Sequence, residues 1–282
     1  MKKIGLVDYY ISEWHANNYP KWFKEICEKD NLEYEVAYAW AEEYVSPVNG
    51  ENTDQWCKRN NVERCLTIEE LCEKSDYIII LSPSNPEKHL GYAEKVLPFG
   101  KPTYIDKTFS PDYKTALEIY ALGEKYNTPF FSSSALRYAT ELDDIIGRKS
   151  VVAMGGGALF DEYLVHLVEM VVKVMDAKAT RLCVDKQGEK QYNVRVDFEG
   201  DKTATMIFYP PMPHAISSAR EDGKESVFRL CQSETFKGLL SDILRFFSTG
   251  EVSFSADQTK EIMKIREFAI KGAEELGQWI NL

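Results

Sequence analysis

The chain has 282 residues, 44% hydrophobic and 28% charged, with 34 Lys and Arg against 45 Asp and Glu for a formal charge of −11. That much apolar material builds a core, which excludes a disordered chain. The acidic balance argues against a nucleic-acid binder, which needs a basic face to release counterions from phosphates. No apolar run approaches the roughly 20 residues that span a bilayer. The opening Met1-Lys2-Lys3 runs into a strand pattern that meets Asp8, so it reads as part of the fold and not as a secretory leader. Six cysteines (Cys27, Cys57, Cys65, Cys72, Cys183 and Cys231) form no Cys-x-x-Cys pair. They read as reduced packing residues of a cytoplasmic protein, with no zinc site expected.

Lys3 to Val7 is a short apolar run of the buried-strand kind. A helix follows, with Asn17 or Asn18 as its cap and Pro20 in its first turn. Glu33 to Trp40 reads as a second strand. A loop with Ser46, Pro47, Asn49 and Gly50 leads to a helix near Thr53. Thr67-Ile68-Glu69-Glu70 is a capping-box pattern. Tyr77 to Leu81 is the clearest buried strand, Pro86 to Leu97 is helical, and Thr103 to Asp106 is another strand. Pro111 opens a long helix to Tyr126, and Phe130 to Ser133 forms a further strand. Continuously apolar strands alternating with helices indicate parallel βαβ units covered on both faces, a doubly wound sheet. Its ligand crevice belongs at the carboxyl ends of the strands.

From Val151 the pattern changes. Three glycines, Gly155-Gly156-Gly157, precede a helix from Phe160 to Met175. Thr180–Val184, Tyr192–Phe198 and Thr203–Tyr209 alternate with period two, and Val227–Leu230 is a weaker strand candidate. Ser255-Ala256-Asp257-Gln258 is a second capping box, opening a last helix over 257–280. The fold class is therefore α/β: a doubly wound parallel sheet over 1–130 and an α+β domain with an open, mainly antiparallel sheet over 131–282. The boundary falls between Lys125 and Glu141, and the last helix is expected to pack back on the first domain.

Three segments together resemble the glucose-fructose oxidoreductase / inositol dehydrogenase (Gfo/Idh/MocA) family. They are His89 to Phe109, containing Gly100-Lys101-Pro102-Thr103-Tyr104-Ile105-Asp106-Lys107-Thr108; Gly155 to His166, with a Gly-rich turn and a helical histidine; and the closing helix from Asp257. The resemblance implies a Rossmann-type first domain, hydride transfer between NAD or NADP and a sugar, polyol or related secondary alcohol, and a homo-oligomer that covers the open sheet. It departs from the family where the Gly-x-Gly-x-x-Gly fingerprint should follow the first strand. Here stands Asp8-Tyr9-Tyr10-Ile11-Ser12-Glu13, without glycine. Those side chains narrow a phosphate site, and Asp8 or Glu13 repels one. Ala39 and Trp40 stand where an acidic residue usually holds the ribose, and Glu42 and Glu43 come a little later.

In the family reading Lys107, at a strand end, bonds the substrate oxygen, and His166 exchanges that oxygen's proton, a task suited to an imidazole. The alternatives are a solvated lysine and a helix histidine paired with a carboxylate. Glu162 and Glu169 lie on the same helical face as His166, and Glu162 supports it. Asp106 replaces the family glutamate. Thr108 replaces a proline, and a cis bond before threonine costs about 2.5–4 kcal/mol, so the turn there is expected to differ. Asp8, Tyr9, Tyr10, His15, Ser82, His89 and Asp106 are the cofactor-side candidates. Tyr9 could stack on a ring. His15 could replace part of the lost turn or simply cap the helix, and His89 could be only a polar residue at a helix end. Arg137 and Tyr163 are the substrate-side candidates, Arg137 with a structural ion pair as its alternative. His214, in Pro210-Pro211-Met212-Pro213-His214, belongs to a rigid loop or a lid. Two further readings are a non-catalytic family member that senses a sugar or nucleotide, and a metal hydrolase built on His166, Glu169 and His214, which lacks the second helical histidine of a zinc signature.

Overall fold

The computed structural model describes residues 1–220 and 224–282. They divide into two units, Met1–Ser133 with Leu240–Ser253, and Ser134–Leu239 with Phe254–Leu282. In the first, β1 (Lys2–Asp8), α1 (Trp14–Asp30), β2 (Tyr34–Ala41), α2 (Thr53–Asn60), β3 (Glu63–Arg64), α3 (Ile68–Lys74), β4 (Tyr77–Ile80), α4 (His89–Val96), β5 (Thr103–Ile105), α5 (Tyr113–Tyr126) and β6 (Phe130–Phe131) alternate along the chain. The strands are all parallel, in the order β3-β2-β1-β4-β5-β6. Ile4, Leu6, Val7, Ile78, Ile79, Ile80 and Tyr104 are fully buried, as strands covered on both faces require. This is the doubly wound sheet that the apolar runs indicate. β1 lies between β2 and β4, so its carboxyl end is the point where the strand order reverses and ligands settle.

The second unit is α+β. Its elements are β7 (Ser150–Gly155), α6 (Phe160–Met175), β8 (Ala179–Gln187), β9 (Gln191–Phe198), β10 (Lys202–Phe208), β11 (Ala215–Ala219), β12 (Ser226–Leu230), the start of α7 (Thr235–Thr249), α8 (Ala256–Gly272) and β13 (Trp279–Asn281). The sheet order is β12-β11-β7-β10-β9-β8-β13. Every pairing is antiparallel except β7 with β10. One face buries Ala153, Val194, Val196 and Met206 in a core with Leu164, Val168, Val171 and Met175 of α6 and Ile262 and Ile265 of α8.

Several local expectations are corrected. Glu13, not Asn17 or Asn18, caps α1, which begins at Trp14 and leaves Pro20 inside the helix. At α3 Thr67 caps the Glu70 N–H, but the Glu70 carboxylate takes the Leu66 N–H instead of closing the box on Thr67. The last helix stops at Gly272, and the residues beyond it form β13 against β8. It also packs in the second unit, because its apolar face is shared with α6 and β8. The element that returns to the first unit is α7, which the sequence reading did not identify. There Phe246 meets Phe131 edge-on at 5.1 Å, Phe247 stacks on Tyr77 at 4.5 Å, and Ser248 Oγ lies 2.7 Å from the Tyr34 hydroxyl. β11 and β13 were likewise not anticipated.

Candidate functional site

In the first unit the polar side chains gather at the carboxyl edge of the sheet. Asp8 ends β1 and is 1% exposed. Its Oδ1 accepts from the Tyr9 N–H at 2.7 Å, the Ser82 N–H at 3.1 Å and the Ser82 hydroxyl at 3.2 Å, while Oδ2 has no hydrogen-bond partner among the described residues. Burial, reinforced by the charge of Glu13, holds its pKa well above the ordinary carboxyl value. Ser82, just past β4, takes φ +70°, a left-handed conformation uncommon for a residue with a Cβ. That backbone turn presents both its N–H and its hydroxyl to Asp8, and its Oγ also accepts the Tyr9 N–H at 2.9 Å.

Asp106 follows β5, is 1% exposed and accepts the Tyr104 hydroxyl at 3.0 Å on Oδ1. Its Oδ2 lies 3.8 Å from Nε2 of His15, whose Nδ1 is 3.2 Å from Glu13 Oε2. Glu13 itself accepts the His15 N–H at 2.7 Å and the Ala16 N–H. His15 is therefore an imidazole held between two carboxylates, at the start of a helix whose cap is already a carboxylate. The Tyr19 hydroxyl is buried beside the same two charges and has no hydrogen-bond partner among the described residues. Burial first, then Asp106 and Glu13, raise its pKa well above the ordinary phenol value.

Lys107 is half-buried, one residue beyond Asp106, with Nζ 3.4 Å from the Pro83 carbonyl. The Lys107–Thr108 peptide is cis. Tyr9 lies under the Lys88 ammonium, 4.5 Å from ring centroid to Nζ, with Tyr10 beside it at 5.8 Å. His89, a cofactor-side candidate, lies inside the first unit. Its ring is fully buried and both nitrogens are used, Nδ1 3.0 Å from the Phe109 carbonyl and Nε2 2.5 Å from that of Leu81. It clips the end of β4 to the loop after β5, and burial lowers its pKa. Glu42, the late acidic residue after β2, is held by Lys88 at 2.6 Å and by the Tyr92 hydroxyl at 2.7 Å.

The second unit carries its own cluster. His166 projects from α6, half-buried, with Nδ1 2.7 Å from the Ser134 hydroxyl. Tyr163 is one turn earlier at 5.8 Å between ring centroids, and burial, with the charge of Glu162, raises its pKa. The His214 ring stands edge-on to His166 at 5.9 Å. Its Nε2 is buried without a hydrogen-bond partner among the described residues, and burial lowers its pKa. Glycine permits this approach: a Cβ on Gly155 would come within 2.4 Å of the His214 ring, and one on Gly156 within 2.0 Å of the Tyr209 carbonyl. The sequence reading places His214 in a rigid loop or lid and brings it to His166 only in the metal-hydrolase reading. The signal was the glycine run, which marks close approach of a neighbour.

Glu169 does not share the role its helical spacing suggested. It is 2% exposed, accepts the Ser134 N–H at 3.0 Å and pairs with Arg137. Arg137 also bonds Gln258 Oε1 at 2.7 Å, and its guanidinium lies 3.9 Å from the Phe254 ring centroid. Arg137 thus makes the structural ion pair that is its alternative reading, because a guanidinium 4% exposed needs a carboxylate at hand. Among the described residues no group of three His, Cys, Asp or Glu is arranged to hold a metal.

No family model matches this chain, and no curated protein matches its sequence. Solved structures do match its fold. A probable dehydrogenase from Thermotoga maritima superposes with a TM-score of 0.80 at 12% identity, covering 99% of this chain and 98% of the other. Myo-inositol dehydrogenase from Lactobacillus casei, solved with NAD(H) and myo-inositol, gives 0.77 at 11% identity over 100% and 97%. UDP-N-acetylglucosamine 3-dehydrogenase from Acidithiobacillus ferrooxidans gives 0.76 at 10% identity over 97% of each. The two-domain fold is the one those dehydrogenases share.

In this fold a dinucleotide's pyrophosphate rests on N–H groups at the start of the first helix. Here Glu13 holds two of those N–H groups and Asp8 and Ser82 hold that of Tyr9. As arranged, these residues do not fit a pyrophosphate.

Proposed function

We propose that the protein is an oxidoreductase acting on a sugar, polyol or related secondary alcohol, with NAD or NADP as the hydride partner. The observation that carries this reading is the His166–Ser134 contact on α6. Ser134 Oγ also accepts the Leu136 N–H at 3.2 Å, which holds the hydroxyl against Nδ1, and Nε2 is the ring nitrogen offered to the substrate oxygen. Lys107 at the sheet edge of the first unit is the second residue assigned to catalysis, and Glu162, one turn before His166, orients a hydroxyl or the imidazole. The likeness of fold to sugar and polyol dehydrogenases supports this assignment.

Steady-state nicotinamide turnover with a panel of sugars and polyols tests it. Lys107→Ala and His166→Ala should each abolish the activity found, and an intact activity in either would remove that residue's role. A second reading, a non-catalytic sensor of a sugar or nucleotide, is favoured by the filled helix terminus at Glu13. Binding without turnover across the panel would establish it. The edge strand β12 leaves Phe228 61% and Leu230 40% exposed, which supports a homo-oligomer. A monomer by light scattering would contradict that.

A further inference from the structure

Three of the chain's four histidines have a polar partner at the ring. His15 stands between Glu13 and Asp106, both nitrogens of His89 meet backbone carbonyls, and His166 meets the Ser134 hydroxyl. His214 differs. Neither of its ring nitrogens has a hydrogen-bond partner among the described residues, and Nε2 is buried. Buried polar atoms are ordinarily satisfied, so an exception calls for a reason.

The reason is not a loose loop, because the chain around His214 is fixed. Its carbonyl accepts the Cys231 N–H at 2.9 Å. Just before it the Met212 N–H bonds the Tyr209 carbonyl at 2.9 Å, and the Tyr209 N–H bonds that of Gly155 at 3.0 Å. Pro210, Pro211 and Pro213 lock φ between these bonds. β11 begins at the next residue, with Ala215 opposite Met154 of β7, which brings the His214 ring onto Gly155. A Cβ there would stand 2.4 Å from the ring carbon Cδ2 and 3.0 Å from Nε2. Gly157 seats Tyr163 in the same way, since its Cβ would lie 2.1 Å from that ring. His166 adjoins both rings, 5.9 Å from His214 and 5.8 Å from Tyr163 between centroids, and all three are half-buried.

We propose that His214 is a substrate-binding residue, which holds the oxygen next to the one that His166 serves. The inference rests on the oxidoreductase reading and adds to it a feature of the substrate, hydroxyls on adjoining carbons. Rings this close cannot bond the two ends of an extended molecule, because each hydrogen bond spans only about 2.7–3.2 Å. A charged ring would carry an N–H at each nitrogen with no acceptor for either, and burial lowers the His214 pKa. The ring therefore stays neutral and leaves the proton to His166.

The test follows the imidazole NMR signals of the 15N-labelled chain, whose four histidines are assigned by substitution. myo-Inositol, D-glucose, glycerol and cyclohexanol are titrated separately to ~10 mM, above the usual KM range, with and without NADH. A polyol or sugar that moves the His166 signals should move those of His214 with them, and cyclohexanol, with one hydroxyl, should leave His214 in place. His214→Phe keeps a ring on Gly155 without its nitrogens. It should raise KM for the responding compound about three- to tenfold, with a smaller fall in kcat, and His214→Gln should recover part of the affinity. Melting curves show that each variant is folded, and the wild-type titration decides the matter if one is not. A polyol or sugar that shifts His166 but not His214, or an unchanged KM in folded His214→Phe, would overturn the inference and leave the oxidoreductase reading standing. Joint shifts without nicotinamide turnover would uphold the binding role and overturn the oxidoreductase reading. No shift at either ring with any compound would overturn both.

Discussion

The hydroxyl of Ser134 lies 2.7 Å from Nδ1 of His166, and the N–H of the same serine bonds Glu169 Oε2 at 3.0 Å. One residue therefore holds the imidazole through its side chain and is itself held by a buried ion pair through its backbone. Ser134→Ala removes the first bond and leaves the second. It should lower kcat by about tenfold or more, within the usual range for acid–base catalysis, with little change in KM and a displaced pH profile. Ser134→Thr should restore most of the rate. Unchanged kcat and pH profile in the alanine variant would show that the hydroxyl does not position the ring.

The Arg137–Glu169 ion pair is buried, its side chains 5% and 3% exposed. Removing one partner leaves an uncompensated charge, so Arg137→Met should cost about 3–5 kcal/mol in urea unfolding. The double variant Arg137→Met/Glu169→Leu should recover part of that loss. A double variant as destabilised as the sum of the two single ones would show that the pair is not coupled.

Asp8 makes stability fall with rising pH. Its folded pKa is raised, so the folded state holds a proton that the unfolded chain releases above about pH 3.9. The contribution is complete below that value and is lost as the pH climbs through the folded pKa. Asp8→Asn keeps the Oδ1 acceptor and carries no charge, so its advantage over wild type should grow from pH 4 to pH 8. The gain is about 1.4 kcal/mol for each unit by which the pKa is raised, or roughly 2–4 °C in Tm per kcal/mol. Parallel Tm–pH curves for the two proteins would refute this.

Two glycines should respond in opposite directions. A Cβ at Gly156 would lie 2.0 Å from the Tyr209 carbonyl and 2.5 Å from that of Pro210, both main-chain atoms that cannot turn aside. Gly156→Ala should destabilise by about 1–3 kcal/mol or prevent folding. At Gly91, inside α4, a Cβ meets nothing within 4 Å, so Gly91→Ala should stabilise by up to about 1 kcal/mol through helix propensity. Thermal melts of both variants decide the matter.

Local pattern was enough for the parallel half of the chain. Runs such as Tyr77–Ile80 are apolar on every residue because both faces are covered, and that signal survives without knowledge of any neighbour. α7 was also legible in principle: Leu239, Leu240, Ile243, Leu244, Phe246 and Phe247 recur at helical spacing and are all buried. It was missed for want of a cap signal. β13 is three residues long, and only its ladder to β8 makes it a strand.

The sequence by itself determined that Lys107 ends a strand, that His166 rides a helix and that the glycine fingerprint is absent. Those properties depend on residue type and spacing along one stretch of chain. Only the tertiary structure decided which carboxylate caps α1, that His89 spends both nitrogens on backbone carbonyls, that Arg137 answers Glu169, and that His214 faces His166. Each of those is a contact between residues far apart in sequence or a choice among neighbouring polar groups, and hydrogen-bond geometry and burial, which make the choice, exist only once the chain is folded.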